Sequence, residues 1–118
     1  MTLDIDIRKR MAEDKKYLCG DDFADGKDRI VQIKDVMEEI VENPRNGSKS
    51  KEIVIHFEGD VKPMVLSAKV NMKSAAKATG TSRTAEWPGK KLQLFGEYGC
   101  YFGENGFAVR IRDFAPQG

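Results

Sequence analysis

One histidine, two cysteines and one tryptophan in 118 residues leave few ways to build a familiar catalytic or metal centre. His56 is the only imidazole, and Cys19 and Cys100 lie far apart in sequence. No zinc spacing of the C-x-x-C or H-x-x-x-H kind can be written, so no metal site is expected. Two cysteines in a chain expected to remain in the cytosol read as free thiols, and nothing in their spacing asks for a bridge. No apolar run approaches the ~18 residues that a membrane-spanning helix needs. The first residues, Met1-Thr2-Leu3-Asp4-Ile5-Asp6, carry acids where a secretory signal would carry positive charge and then an apolar stretch. Cytoplasmic residence, with no membrane partner, is the expectation.

Other catalytic arrangements are also missing. Ser, Cys and Asp are present, but no nucleophile motif surrounds His56, which as a strand residue reads as a surface or sheet histidine. Gly99, Gly103 and Gly106 sit in a glycine-rich stretch with neither a following helix pattern nor a Gly-Lys-Ser/Thr sequence, which argues against a phosphate loop. Asp21, Asp22, Asp25 and Asp28 miss the ligand order of an EF-hand and read as a solvated turn. These absences predict a chain that is not an enzyme and needs no cofactor.

What is present is an ordinary soluble composition, 40% hydrophobic and 33% charged. A chain of this length forms one domain and buries roughly 65% of its unfolded surface, so it needs no disulfide or metal staple. Net charge is +1 but unevenly divided. Residues 1–60 hold eleven Lys/Arg against fifteen Asp/Glu, and residues 61–118 hold nine against four. A basic half can meet phosphate once the fold gathers it on one face.

Along the chain, residues 1–28 are polar and charge-dense. They read as a partly ordered N-terminal arm ahead of a domain over 29–118. Leu3, Ile5 and Ile7 alternate like a strand, and Lys9 to Lys16 fits a short helix. From Arg29 to Val41 apolar residues alternate until the parity slips at Lys34-Asp35-Val36, the mark of a bulge; a helix over Val36 to Val41 is the rival reading. Residues 42–51, with Pro44 and Asn46-Gly47, form a loop. A second strand follows, with Ile53, Ile55 and Phe57 on one face and Val54, His56 and Glu58 on the other. Pro63 opens a short third strand. Asn71 as N-cap and Gly80 as terminator bracket a lysine- and alanine-rich helix, and one further turn delivers Trp87 to the core. Two last strands, Lys91 to Phe95 and Phe107 to Arg112, flank a long glycine-rich connection.

Three strands, a helix and two strands is the element order of a mainly β, five-stranded OB-like Greek-key barrel with one helix between strands 3 and 4. Lys16-Tyr17-Leu18, the Phe57–Leu66 stretch with Lys62-Pro63, Asn71, Trp87-Pro88-Gly89-Lys90-Lys91-Leu92 and Val109-Arg110-Ile111-Arg112 together carry a resemblance. Over residues 16–116 the chain resembles a family of small phage and prophage proteins with an OB-fold-like domain. Its alanine-rich helix departs from that family's pattern. The resemblance implies a phage-encoded accessory protein in the bacterial host cytosol, by analogy with OB-fold single-strand binders in replication or recombination. Mapped onto an OB face, a single-stranded nucleic-acid site would combine Arg45, Lys49 and Lys51 of one loop with Tyr98, Tyr101 and Phe102 of another. His56, Arg110 and Arg112 would extend it. The alternative is a protein-interaction module that binds a host or phage protein. Self-association through an edge strand is also open. One criterion separates the two main readings: a continuous basic and aromatic face favours nucleic acid, a dominant apolar patch favours a protein.

Overall fold

The computed structural model describes residues 2–5, 7, 10, 15–42, 46–101 and 104–116; of Tyr101 and Glu104 it describes only the backbone. Five strands form one antiparallel sheet: β1 Arg29–Glu42, β2 Lys49–Phe57, β3 Met64–Leu66, β4 Lys91–Tyr101 and β5 Glu104–Ile111, in the spatial order β3-β2-β1-β4-β5. One helix, α1 Lys69–Thr79, joins β3 to β4. The chain is therefore mainly β with its helix between strands 3 and 4, as expected.

β1 holds the sheet together because it pairs twice. Arg29 to Gln32 align with Leu94 to Lys91 of β4, and Ile33 to Glu42 align with Phe57 to Lys49 of β2. The register shifts between Ile33 and Asp35. Strict alternation would turn Val36 away from Ile33; the extra residue turns both inward, and Ile33 is buried with Val36 packed against the same core. The helical alternative for Val36 to Val41 does not form.

Phe23, Ile33, Ile55, Met64, Leu66, Leu92 and Leu94 form the centre of the core, closed by Trp87 at 2% exposure. The Trp87 indole N–H donates to the Thr81 carbonyl at 2.9 Å, so its one polar atom is satisfied. Burial differs from the sequence pattern at Val54. It faces away from the core cluster, opposite Met37 and Val65, yet it is completely buried. The chain entering the domain lies over part of that face, with Tyr17 O–H donating to Glu39 at 3.4 Å.

α1 starts at Ala68 rather than at Asn71, and no side chain caps its N-terminus. Asn71 lies inside the first turn, 4% exposed, and its Nδ2 donates to the Val109 carbonyl of β5 at 3.0 Å. An asparagine that looked like a cap is instead the polar tie between helix and sheet. Gly80 ends the helix at φ 79°, in the left-handed region that glycine adopts without strain.

The expected closed barrel is not formed among the described residues, because β3 pairs only with β2 and β5 only with β4. The gap between β3 and β5 is spanned by residues assigned from sequence to the arm. Leu18 N–H donates to the Pro63 carbonyl at 2.8 Å, and Lys62 pairs with Asp22 at 2.9 Å. A 3-10 turn, Gly20–Phe23, packs on β4 and β5 and buries Phe23 completely. Gly20 fits so closely that a Cβ there would lie 1.6 Å from the Phe107 carbonyl oxygen. Packing of the domain therefore begins near Leu18, ahead of the boundary at 28 read from charge density.

Candidate interaction surface

Of the nine residues proposed from sequence for nucleic acid, the described ones fall in separate places. Arg45 and Phe102 lie outside the described residues, and of Tyr101 only the strand backbone, opposite Glu104, is described. Lys49 and Lys51 stand exposed near the tip of the β1–β2 hairpin, across from Glu42 and Ile40. Tyr98, 60% exposed, meets Phe107 edge to face at 5.2 Å in the β4–β5 hairpin. Since β4 runs antiparallel to β1 with Leu94 opposite Arg29, the two hairpin tips leave the sheet from opposite ends of β1. Lys49 and Lys51 are thus not adjacent to Tyr98.

Arg110 of β5 and Arg112 just past its end are engaged by acids. The Arg112 guanidinium stacks 3.7 Å above the Phe95 ring and donates to Asp28 at 3.0 and 3.3 Å. That hydrogen bond, with a second from Gln93, holds the Asp28 carboxyl below its ordinary range. Arg110 approaches Glu97 at 3.8 Å. These contacts use on the protein itself the donors that a phosphate would need.

The outward face of β1 and β2 carries Asp35, Glu39 and Glu52 around the single imidazole. His56 Nε2 hydrogen-bonds the Glu39 carboxylate, which also accepts from Tyr17. A phosphate chain laid across these strands would meet carboxylates, which repel it. Beside this face, Tyr17, Leu18 and Cys19 border a groove of about 680 Å³ whose far wall includes Ile40, Glu52 and Val65. Burial, and then the Asp22 carboxylate, push the Cys19 thiol above its usual range, which keeps it protonated and a poor nucleophile. Cys19 and Cys100 are both free.

Besides Tyr98 on β4, the sheet exposes Ile30 at the start of β1 and two apolar residues on its outer half. Met37 is 54% and Ile40 62% exposed, on opposite faces of one strand. Beyond Gln32 no strand pairs with the β4 side of β1 among the described residues; Ile33 alone is bonded there, to Gly89 and Lys90. A concavity of about 470 Å³ is lined by Val36, Met37 and Glu38 of β1, Ile53 of β2 and Thr84. Sequence reading missed this surface because alternation reports which side chains face a core, not which backbone edge lacks a neighbour.

Among the described residues no His/Cys/Asp/Glu group is arranged to hold a metal ion, and no helix is long and apolar enough to cross a membrane. Comparison with family models, with curated proteins and with solved structures finds no match for this chain.

Proposed function

We propose that this chain is a non-enzymatic module that binds a polypeptide partner through the β1–β2 hairpin. The observation that carries this reading is the outer edge of β1, unpaired among the described residues and flanked by exposed Met37 and Ile40. An exposed strand edge offers unsatisfied backbone donors and acceptors, and neighbouring apolar side chains add affinity when a second strand covers them. Of the described residues expected to grip a nucleic acid, Lys49 and Lys51 lie toward one end of β1 and Tyr98 toward the other, and Arg112 and Arg110 are engaged by Asp28 and Glu97. The strand order and the bulged β1 support an OB-type barrel whose β3–β5 seam is filled by residues 18–23 instead of by strand pairing. A phage-type accessory role rests on the sequence resemblance over residues 16–116 and is the setting in which such a partner is proposed.

The test pairs two titrations on the full chain. A random peptide library is selected against it, and a labelled oligothymidine is titrated at low salt by fluorescence anisotropy. The reading predicts selected peptides whose binding is lost in the Met37→Glu, Ile40→Glu double variant, and no saturable oligonucleotide binding. Saturable, salt-sensitive oligothymidine binding that weakens in Lys49→Ala would overturn it.

A further inference from the structure

The edge of β1 has an ordered charge pattern. From Asp35 to Glu42 it reads acid, apolar, apolar, acid, acid, apolar, apolar, acid. This pattern is the same in both directions. Its pleat distributes the sequence evenly: Asp35, Met37, Glu39 and Val41 lie on one face, and Val36, Glu38, Ile40 and Glu42 on the other. Each face therefore alternates acid with apolar.

The pattern bears on what can pair with the edge. Residues directly opposite in a sheet interact, with opposite charges favoured and like charges disfavoured. A second copy of this chain, paired antiparallel about a two-fold axis, sets only residues of the same face opposite one another: centred on Glu38 it sets Glu38 against itself and Met37 against Glu39, and centred on Glu39 it sets Glu39 against itself and Glu38 against Ile40. Centred on Met37 it sets Asp35 against Glu39 and Val36 against Glu38, and centred on Ile40 it sets Glu38 against Glu42 and Glu39 against Val41. No such register between two copies of β1 matches both charge and apolarity, so the edge resists self-association while staying open.

Resting on the protein-binding reading above, we infer that the β1 edge recognises an extended segment of the complementary order: basic, apolar, apolar, basic, basic, apolar, apolar, basic. Such a strand matches every position on both faces. Two further observations point the same way. The buried Asp35 Oδ1 has no hydrogen-bond partner among the described atoms, and an incoming lysine or arginine supplies one. The concavity lined by Val36, Met37, Glu38, Ile53 and Thr84 leaves space beside β1 and β2 for side chains of an added strand, whose backbone would lie ~4.8 Å from β1.

The experiment titrates the full chain with a labelled peptide of that order, with one residue for each position of 35–42. A control peptide of identical composition alternates basic and apolar residues strictly and so matches only half the positions. The ordered peptide is expected to bind about ten-fold more tightly than the control, with affinity falling as salt is raised. Glu38→Lys with Glu42→Lys, both at exposed positions, should abolish the preference while circular dichroism and Tm stay unchanged. Binding to that variant should return with a peptide carrying acids opposite the two new lysines. Equal binding of the two peptides, or preference surviving the charge reversal, overturns the inference. So does failure of both peptides to bind; if library-selected peptides still depend on Met37 and Ile40, the broader reading survives and only the charge order fails.

Discussion

A methyl group added at Gly20 would overlap the Phe107 carbonyl of β5, and one at Gly96 would sit 2.6 Å from the Phe23 Cβ. The backbone at both positions is close-packed, so relief requires the Gly20–Phe23 turn to lift from the sheet. Gly20→Ala is expected to cost about 2–3 kcal/mol, read as a lower urea midpoint. Asn71 offers a second single-residue test. Asn71→Ala removes the donor to Val109 and leaves that carbonyl without its Nδ2 partner. The expected loss is about 1–3 kcal/mol, with the helix retained because Asn71 is not its cap. Asp28 sets a pH dependence. Its carboxyl titrates below the ordinary value when folded, chiefly through the hydrogen bond from Arg112. The stability it contributes is fully present above the unfolded pKa of about 4 and is lost as pH falls through the folded value. Thermal melts of Asp28→Asn should lie below the parent at neutral pH and converge with it as the solution is acidified.

At the scale of elements, β1 was the most legible. The parity slip at Lys34-Asp35-Val36 marked the bulge, since keeping Ile33 and Val36 on one core demands an extra residue. Trp87 and Gly80 were readable for similar reasons, one needing a large buried site and the other a left-handed turn. Asn71 misled because a cap and a buried tie use the same side chain, and only the position of β5 separates them. Phe23 was hidden by its neighbours: flanked by Asp21, Asp22 and Asp25, it looked like part of a solvated arm. Burial of that ring predicts a loss of about 3–5 kcal/mol for Phe23→Ala, measurable by denaturant unfolding. The interaction surface was the least legible part. Charge and aromatic content marked the loop tips, while the free edge arises from β4 pairing with β1 only as far as Gln32.

At the scale of the whole molecule, two features combine. Residues 18–23 fill the seam between β3 and β5, so the sheet is stabilised without closing on itself. Elsewhere in the sheet, β1 extends beyond β4 and leaves an edge bare among the described residues. Long bare edges invite aggregation unless charge guards them. Here Asp35, Glu38, Glu39 and Glu42 guard this edge against copies of itself and leave it open to a basic strand. Hydrogen exchange on the full chain, with and without a selected peptide, tests this most directly. The account predicts that bound peptide slows exchange of those backbone N–H groups of residues 35–42 that point away from β2 and leaves Tyr98, Phe107, Arg110 and Arg112 unchanged. Protection confined to the β4–β5 hairpin, with 35–42 exchanging at the free rate, would contradict it.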